Sequence, residues 1–322
     1  MRSLSRIALG AAVGLGLLVA GTSVALAHTT GPSEATARQA HGVAAQGRHG
    51  VFARQDMPAD VGVAAVDNLR FRGGGAGAVN LAPKVFLVFW GSQWATDTLG
   101  VRPYLEQFMQ GLGTPQDSWS RVASQYCEGV PAATVTCGTA GQHPTFTGSV
   151  FGGTWTDDAA AAPANATASA IAAEAVRGAS HFGNTTQTPN LNAQYVVVSP
   201  TGTHPDGFNA GAGFCAYHSS TNSQFGRLAY TNMPYVNDLG RGCAMNSVNA
   251  GAPGLLDGFS VVEGHEYIET VTDFFPAGGW LDSTGAENGD KCVAPKQNLT
   301  LPTGRFAVQA SWSNAVGGCA FS

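Results

Sequence analysis

Six cysteines constrain this chain more than any other feature, because all of them follow a segment built for export: Cys127, Cys137, Cys215, Cys243, Cys292 and Cys319. Arg2 and Arg6 form a basic start, residues 7–24 are almost wholly apolar, and Ala25-Leu26-Ala27 has the small-x-small form that a signal peptidase reads. The pattern predicts a signal peptide over residues 1–27, cleaved before His28, and a secreted, extracellular product. A membrane anchor is the competing reading of the apolar run; its glycines and the cleavage site weigh against it. An even number of cysteines in an exported chain points to three disulfides rather than to thiolate metal ligands or a cysteine nucleophile. Many pairings are open to six cysteines. Pairing of sequence neighbours closes the shortest loops, and this preference gives Cys127–Cys137, Cys215–Cys243 and Cys292–Cys319.

Charged residues make up only 11% of the chain and the formal net charge is −5. A mildly acidic, lysine-poor chain has no electrostatic footprint for nucleic acid. No stretch after the signal is long and apolar enough to span a bilayer, so no stable membrane anchor is expected after cleavage.

Residues 28–79 lack sustained periodicity and end in Arg70-Phe71-Arg72-Gly73-Gly74-Gly75. They are expected to be loose, either a flexible N-terminal arm or a propeptide cut near Arg70 and Arg72. Residues 80–322 are expected to form one globular domain. Lys84-Val85-Phe86-Leu87-Val88-Phe89-Trp90 and Gln194-Tyr195-Val196-Val197-Val198 read as buried strands, with shorter strands over 214–218 and 227–233. Helices are predicted over 103–109, 118–126, 167–179 and 255–272, and a closing strand over 306–312. Interleaved strands and helices predict an α/β (α+β) fold, a mixed sheet flanked by helices and stabilised by disulfides.

The stretch with most chemical content is Gly264-His265-Glu266-Tyr267-Ile268-Glu269-Thr270-Val271-Thr272-Asp273. Residues four apart share a helix face, so His265 and Glu269 can present an imidazole and a carboxylate to one cation. Glu266, beside the first ligand, is the candidate catalytic group acting on water. This is the logic of the H-E-x-x-H helix of zinc peptidases with Glu in place of the second His. A further metal ligand is expected from Glu287 or Asp290, in a turn tethered by Cys292. Asp273 and His218 are the candidates for orienting the ligands. Eight carboxylates crowd between Asp257 and Asp290 in a chain otherwise poor in charge. A solvated acidic face is the plain alternative, and calcium is the alternative to zinc, because hard oxygen ligands suit it.

These pieces, in order, resemble the phosphate-induced, or Exordium-like, family of secreted proteins, which has plant and microbial members. The resemblance rests on Val85-Phe86-Leu87-Val88-Phe89-Trp90-Gly91, Tyr195-Val196-Val197-Val198, Gly213-Phe214-Cys215-Ala216-Tyr217-His218, Leu228-Ala229-Tyr230 with Cys243, and the run from Gly264 to Cys292. In that run Gly264-His265-Glu266, Thr272-Asp273-Phe274, Trp280-Leu281-Asp282 and Glu287-Asn288-Gly289-Asp290-Lys291-Cys292 match the family's form, except that Phe274 stands where Pro is usual. The resemblance implies a secreted, disulfide-bonded α/β microbial protein with a zincin-like active-site helix. Plant members, associated with the cell wall, often lack the His-Glu pair; this chain keeps it.

The function expected is a secreted zinc metallopeptidase, a hydrolase acting on protein or peptide substrates through metal-activated water with Glu266 as general base. The rival is a non-catalytic extracellular protein of the Exordium-like type that binds cell-wall polysaccharide. Trp94, Trp155 and Trp280 are its candidate sugar-stacking residues.

Overall fold

A computed structural model describes residues 49–53 and 67–322. The predicted signal peptide, residues 28–48 and residues 54–66 lie outside the described residues. The main elements in chain order are β1 (His49–Ala53), β2 (Arg70–Phe71), β3 (Lys84–Trp90), α1 (Val101–Gly111), β4 (Phe151–Asp157), α2 (Ala168–His181), β5 (Ala193–Val198), β6 (Phe214–Ser223) and β7 (Gly226–Met233). They are followed by α3 (Asp257–Thr272), β8 (Trp280–Leu281), β9 (Lys296–Leu301), β10 (Gly304–Gln309), β11 (Ser311–Ser313) and β12 (Gly318–Ala320).

Six strands form one sheet in the order β1-β6-β7-β5-β3-β4. Strands β4, β3, β5 and β7 run parallel, with Leu87 opposite Val196 and Val197 opposite Asn232. Every residue of β5 is buried, as an unbroken apolar run in a doubly covered parallel sheet should be. The direction then reverses, since β6 is antiparallel to β7 and β1 is antiparallel to β6.

Successive side chains of a strand point to opposite faces. Val88 lies under Gly178 of α2, where a Cβ would come within 2.7 Å of it, while the Phe89 ring is covered by Arg102 of α1. Helices therefore flank both faces. Helix α3 shares the face of α1, with Gly264 against Phe108. The mixed sheet, its flanking helices and the three disulfides form the α/β (α+β) fold expected from the sequence, and the cysteines pair as sequence neighbours: Cys127–Cys137, Cys215–Cys243 and Cys292–Cys319.

Several local expectations need correction. The helix predicted over 118–126 is only a 3-10 segment, Ser120–Gln125. It stops at an extended Tyr126, whose hydroxyl donates to the Trp312 carbonyl at 2.7 Å, directly before the disulfide at Cys127. The closing strand breaks at Ala310 into β10 and β11, which pair in two separate ribbons. Strand β4 was not foreseen, because its Gly152-Gly153 pair dilutes the pattern; a Cβ on Gly152 would lie 2.6 Å from the Phe86 ring. Part of the segment expected to be loose up to residue 79 is packed, although Arg70, Arg72, Gly73, Gly75 and Ala76 are exposed. Leu69, Phe71, Ala78 and Val79 are buried, β2 pairs with β8, and the amides of Gly77 and Val79 donate to the Glu128 carboxylate.

Two of the three proposed sugar-stacking tryptophans are core residues. Trp94 is buried and donates to the Val198 carbonyl, and Trp280 is buried against Phe71 and Tyr126 with its indole N–H on the Cys127 carbonyl at 2.8 Å. Only Trp155 is partly exposed, stacked on the His181 ring. Trp280→Ala is therefore expected to lower the unfolding free energy by about 3–5 kcal/mol, measured by urea titration. A surface binding residue would cost little there.

Candidate metal centre

All sixteen residues of α3 are buried, although half of the chain's acidic run lies on it. Buried polar groups need partners, so the polar residues of α3 can be sorted by whether they have them. Asp257 accepts from the amides of Val248 and Asn249 at 2.8 and 2.7 Å. Ser260 donates to the Ala307 carbonyl at 2.6 Å, and Thr272 bonds back to the Ile268 carbonyl. These three are structural. Glu263, His265, Glu266 and Glu269 each retain at least one buried side-chain atom with no hydrogen-bond partner.

The helical spacing brings His265 Nε2 to 3.2 Å from Glu269 Oε2, as the four-residue separation predicts. The ring is oriented from its other side. Its Nδ1 lies 3.3 Å from Gln309 Oε1, and the Gln309 amide nitrogen donates to the Gly289 carbonyl at 2.8 Å. The amide group thus offers its oxygen to the ring, the tautomer with the proton on Nδ1 satisfies it, and Nε2 is left as an acceptor. Two acceptors, Nε2 and Glu269 Oε2, then face each other in the protein interior, and neither has a hydrogen bond.

Two other elements converge on the same carboxylate. From β6, His218 Nε2 reaches 3.8 Å from Glu269 Oε2 and 3.1 Å from Glu287 Oε2. From the turn before Cys292, Asp290 Oδ1 lies 3.8 Å from His265 Nε2, and the Asp290 amide donates to Glu269 Oε1 at 2.9 Å. Glu269 therefore belongs to two possible ligand sets, one with His218 and Glu287 and one with His265 and Asp290, each with ligand atoms within 4.8 Å of one another. A third grouping, Cys127, Cys137 and His143, is closed to a metal because its two sulfurs are joined.

The expected residues His265, Glu269 and Asp290 fall in one of these groups, and Glu287 falls in the other, which shares Glu269. His218, expected to orient the ligands, is grouped with Glu269 and Glu287. Asp273 does lie behind them: its carboxylate accepts from the amides of Ala277 and Gly278 and shares a hydrogen bond with Glu287. It also ends α3, and the Phe274 amide, which a proline would lack, donates to the Ala78 carbonyl at 3.1 Å.

Burial dominates the electrostatics. It lowers the pKa of both His218 and His265 to about 4, so both rings are neutral at pH 7. Burial, followed by neighbouring carboxylates, pushes Glu266 and Glu269 well above the usual range. Asp273 rises to about 8 through burial and then the adjacent Glu287. Glu266 sits one residue beyond the candidate ligand His265, with Oε2 unpartnered and Oε1 facing the Phe52 amide of β1 at 3.4 Å. Glu263, one turn earlier, is raised by burial alone and has neither oxygen bonded.

Sequence reasoning missed Gln309 and Glu263. Gln309 had no signal, since it lies 44 residues from His265 on a strand with no motif. Glu263 carried one: it is another scarce carboxylate, three residues before Glu266 on the same helix face.

Comparisons with family models, curated proteins and solved structures returned no match.

Gly289 has an ordinary helical backbone (φ −69°), so conformational freedom does not explain it. Close approach does: a Cβ there would lie 2.6 Å from His265 Nδ1 and 3.0 Å from Glu269 Oε1. Gly289→Ala is expected to displace the imidazole from Gln309 and, by overpacking, to lower the unfolding free energy by about 1–3 kcal/mol, read by urea titration.

Proposed function

We propose that this chain is a secreted zinc-dependent peptidase of the Exordium-like type, with His265, Glu269 and Asp290, whose ligand atoms lie within 4.8 Å of one another, holding the ion and His218 and Glu287 packed beside Glu269. One observation carries the reading: Glu269 Oε2 and His265 Nε2 face each other at 3.2 Å without a hydrogen bond, and His218 and Asp290 approach the same two atoms. A single proton between two acceptors could satisfy that pair, but not the whole converging group. A divalent cation can. A neutral imidazole nitrogen among the donors favours zinc over calcium, whose sites are built from oxygen.

When bound, zinc supplies Lewis acidity that polarises a scissile carbonyl and makes water a better nucleophile near neutral pH. The chain's own groups do the rest. Glu266 has a free Oε2 and a raised pKa, which suits a carboxyl that takes a proton from water and passes it to the leaving amine. Gln309 fixes the His265 tautomer, and Asp273 steadies Glu287, which in turn holds His218. The three disulfides support an extracellular setting.

Elemental analysis of the purified chain is expected to give bound zinc, lost in His265→Ala. Glu266→Gln is expected to keep the zinc and reduce peptide hydrolysis about 10²–10⁴-fold. Chelation is expected to lower the melting temperature by about 10 °C, as removal of a ligand held far above its Kd should for a domain of this size. Absence of zinc together with unchanged hydrolysis in Glu266→Gln would discard the reading. Calcium in its place would indicate a structural cation, and polysaccharide binding that survives the chelator would support the carbohydrate-binding rival.

A further inference from the structure

Strand β6 carries His218, and its outer edge runs beside the candidate centre. Left alone, that edge would offer a row of unpaired amides and carbonyls next to Glu266, which is how extended peptides are recognised by addition to a sheet. In this structure the edge is taken by the chain's own N-terminal segment. Strand β1 pairs antiparallel to β6, with His49 opposite His218, Val51 opposite Tyr217, Phe52 opposite Ala216 and Ala53 opposite Phe214. Phe52 is fully buried, and its ring meets the His265 imidazole edge-on at 5.0 Å. Its amide faces Glu266 Oε1 at 3.4 Å. One residue of this segment therefore touches both the central ligand and the candidate base.

We propose that the segment His49–Ala53 occupies the place of the substrate: it is an autoinhibitory strand, and the substrate is an extended polypeptide that adds to the edge of β6 with an aromatic side chain in the seat of Phe52. The proposal rests on the peptidase reading of the site. Two features separate an inhibitor from a substrate. The group presented to Glu266 is an N–H donor, which occupies the base without offering it a water to activate. The pairing is also irregular on both sides, between His49 and Val51 and between Phe52 and Ala53, and such irregularities interrupt a ladder. A strand held that way is easier to displace than a regular one. While it stays, His218, His265, Glu266 and Glu269 are all closed off from solvent.

The test uses the full chain, wild type and Phe52→Asp, with Phe52→Ala as a milder second variant. A fluorescently labelled peptide with the sequence of residues 47–55 is titrated against each and read by anisotropy, with zinc content measured in parallel. The strand is tethered at a high effective concentration, so wild type is expected to bind the peptide weakly. Phe52→Asp is expected to bind it at least tenfold more tightly, and a peptide carrying Asp in place of Phe is expected not to bind. The variant is also expected to hydrolyse peptides faster than wild type, with a preference for an aromatic residue. If a folded, zinc-loaded Phe52→Asp binds the peptide no better than wild type, the proposal is overturned. It is equally overturned if both variants fail to fold, since β1 would then be structural. Tighter peptide binding with neither zinc nor hydrolysis would support the docking edge while discarding the peptidase reading.

Discussion

An imidazole nitrogen and a carboxylate oxygen confronting each other in the interior, His265 Nε2 and Glu269 Oε2, set the terms for the surrounding structure. Stripping water from ionised groups costs several kcal/mol per charge unless they are paired. No Lys or Arg ion pair to Glu266 or Glu269 exists among the described residues, and the nearest basic groups are the two imidazoles, which burial keeps neutral. The rest of the fold can be understood as what holds these groups together despite that cost.

Each candidate ligand arrives on an element fixed by something other than the site. Helix α3 is braced against β10 through Ser260 and the Ala307 carbonyl, and it approaches the Cys243 carbonyl at Gly258, where a Cβ would clash at 2.4 Å. Cys243 is itself bonded to Cys215 at the start of β6, so one disulfide ties the strand of His218 to the segment on which α3 rests. The turn that brings Glu287 and Asp290 is anchored by Cys292–Cys319, and Asn288 within it accepts from the Trp312 amide and donates to the Trp312 carbonyl. Disulfides here act next to the site, holding three separate stretches in register around one carboxylate.

This also explains what could be read from the sequence. The buried strands at Lys84–Trp90 and Ala193–Val198, and the helix that carries His265 and Glu269, are written in local patterns that need no tertiary information. The convergence of Glu287 and Asp290 was legible because a cysteine marks their turn. The rank of His218 and the role of Gln309 were not, since each depends on where a distant strand lands. A His beside a disulfide and a Gln at a strand end look alike whether or not they meet a helix. The segment around Phe52 was hardest of all. Its one described side chain, Phe52, packs on His265, which comes more than 150 positions later in the sequence.

Under the proposed function, burial by β1 and occupation by a cation would be linked. Phe52 excludes water from His265 and Glu266, and each increment of desolvation raises the cost of keeping Glu266 and Glu269 ionised without a positive partner. On the proposed function, a divalent ion would offset that cost and would be held more firmly with the strand in place. By reciprocity, the ion would also stabilise the covered state. Displacement of the strand would admit water, ease the penalty on the free carboxylates and so loosen the ion, while opening the edge of β6 to another extended chain. A closed, tightly loaded state and an open, more weakly loaded one would then follow from a single balance between desolvation and charge, set by whichever peptide lies along β6.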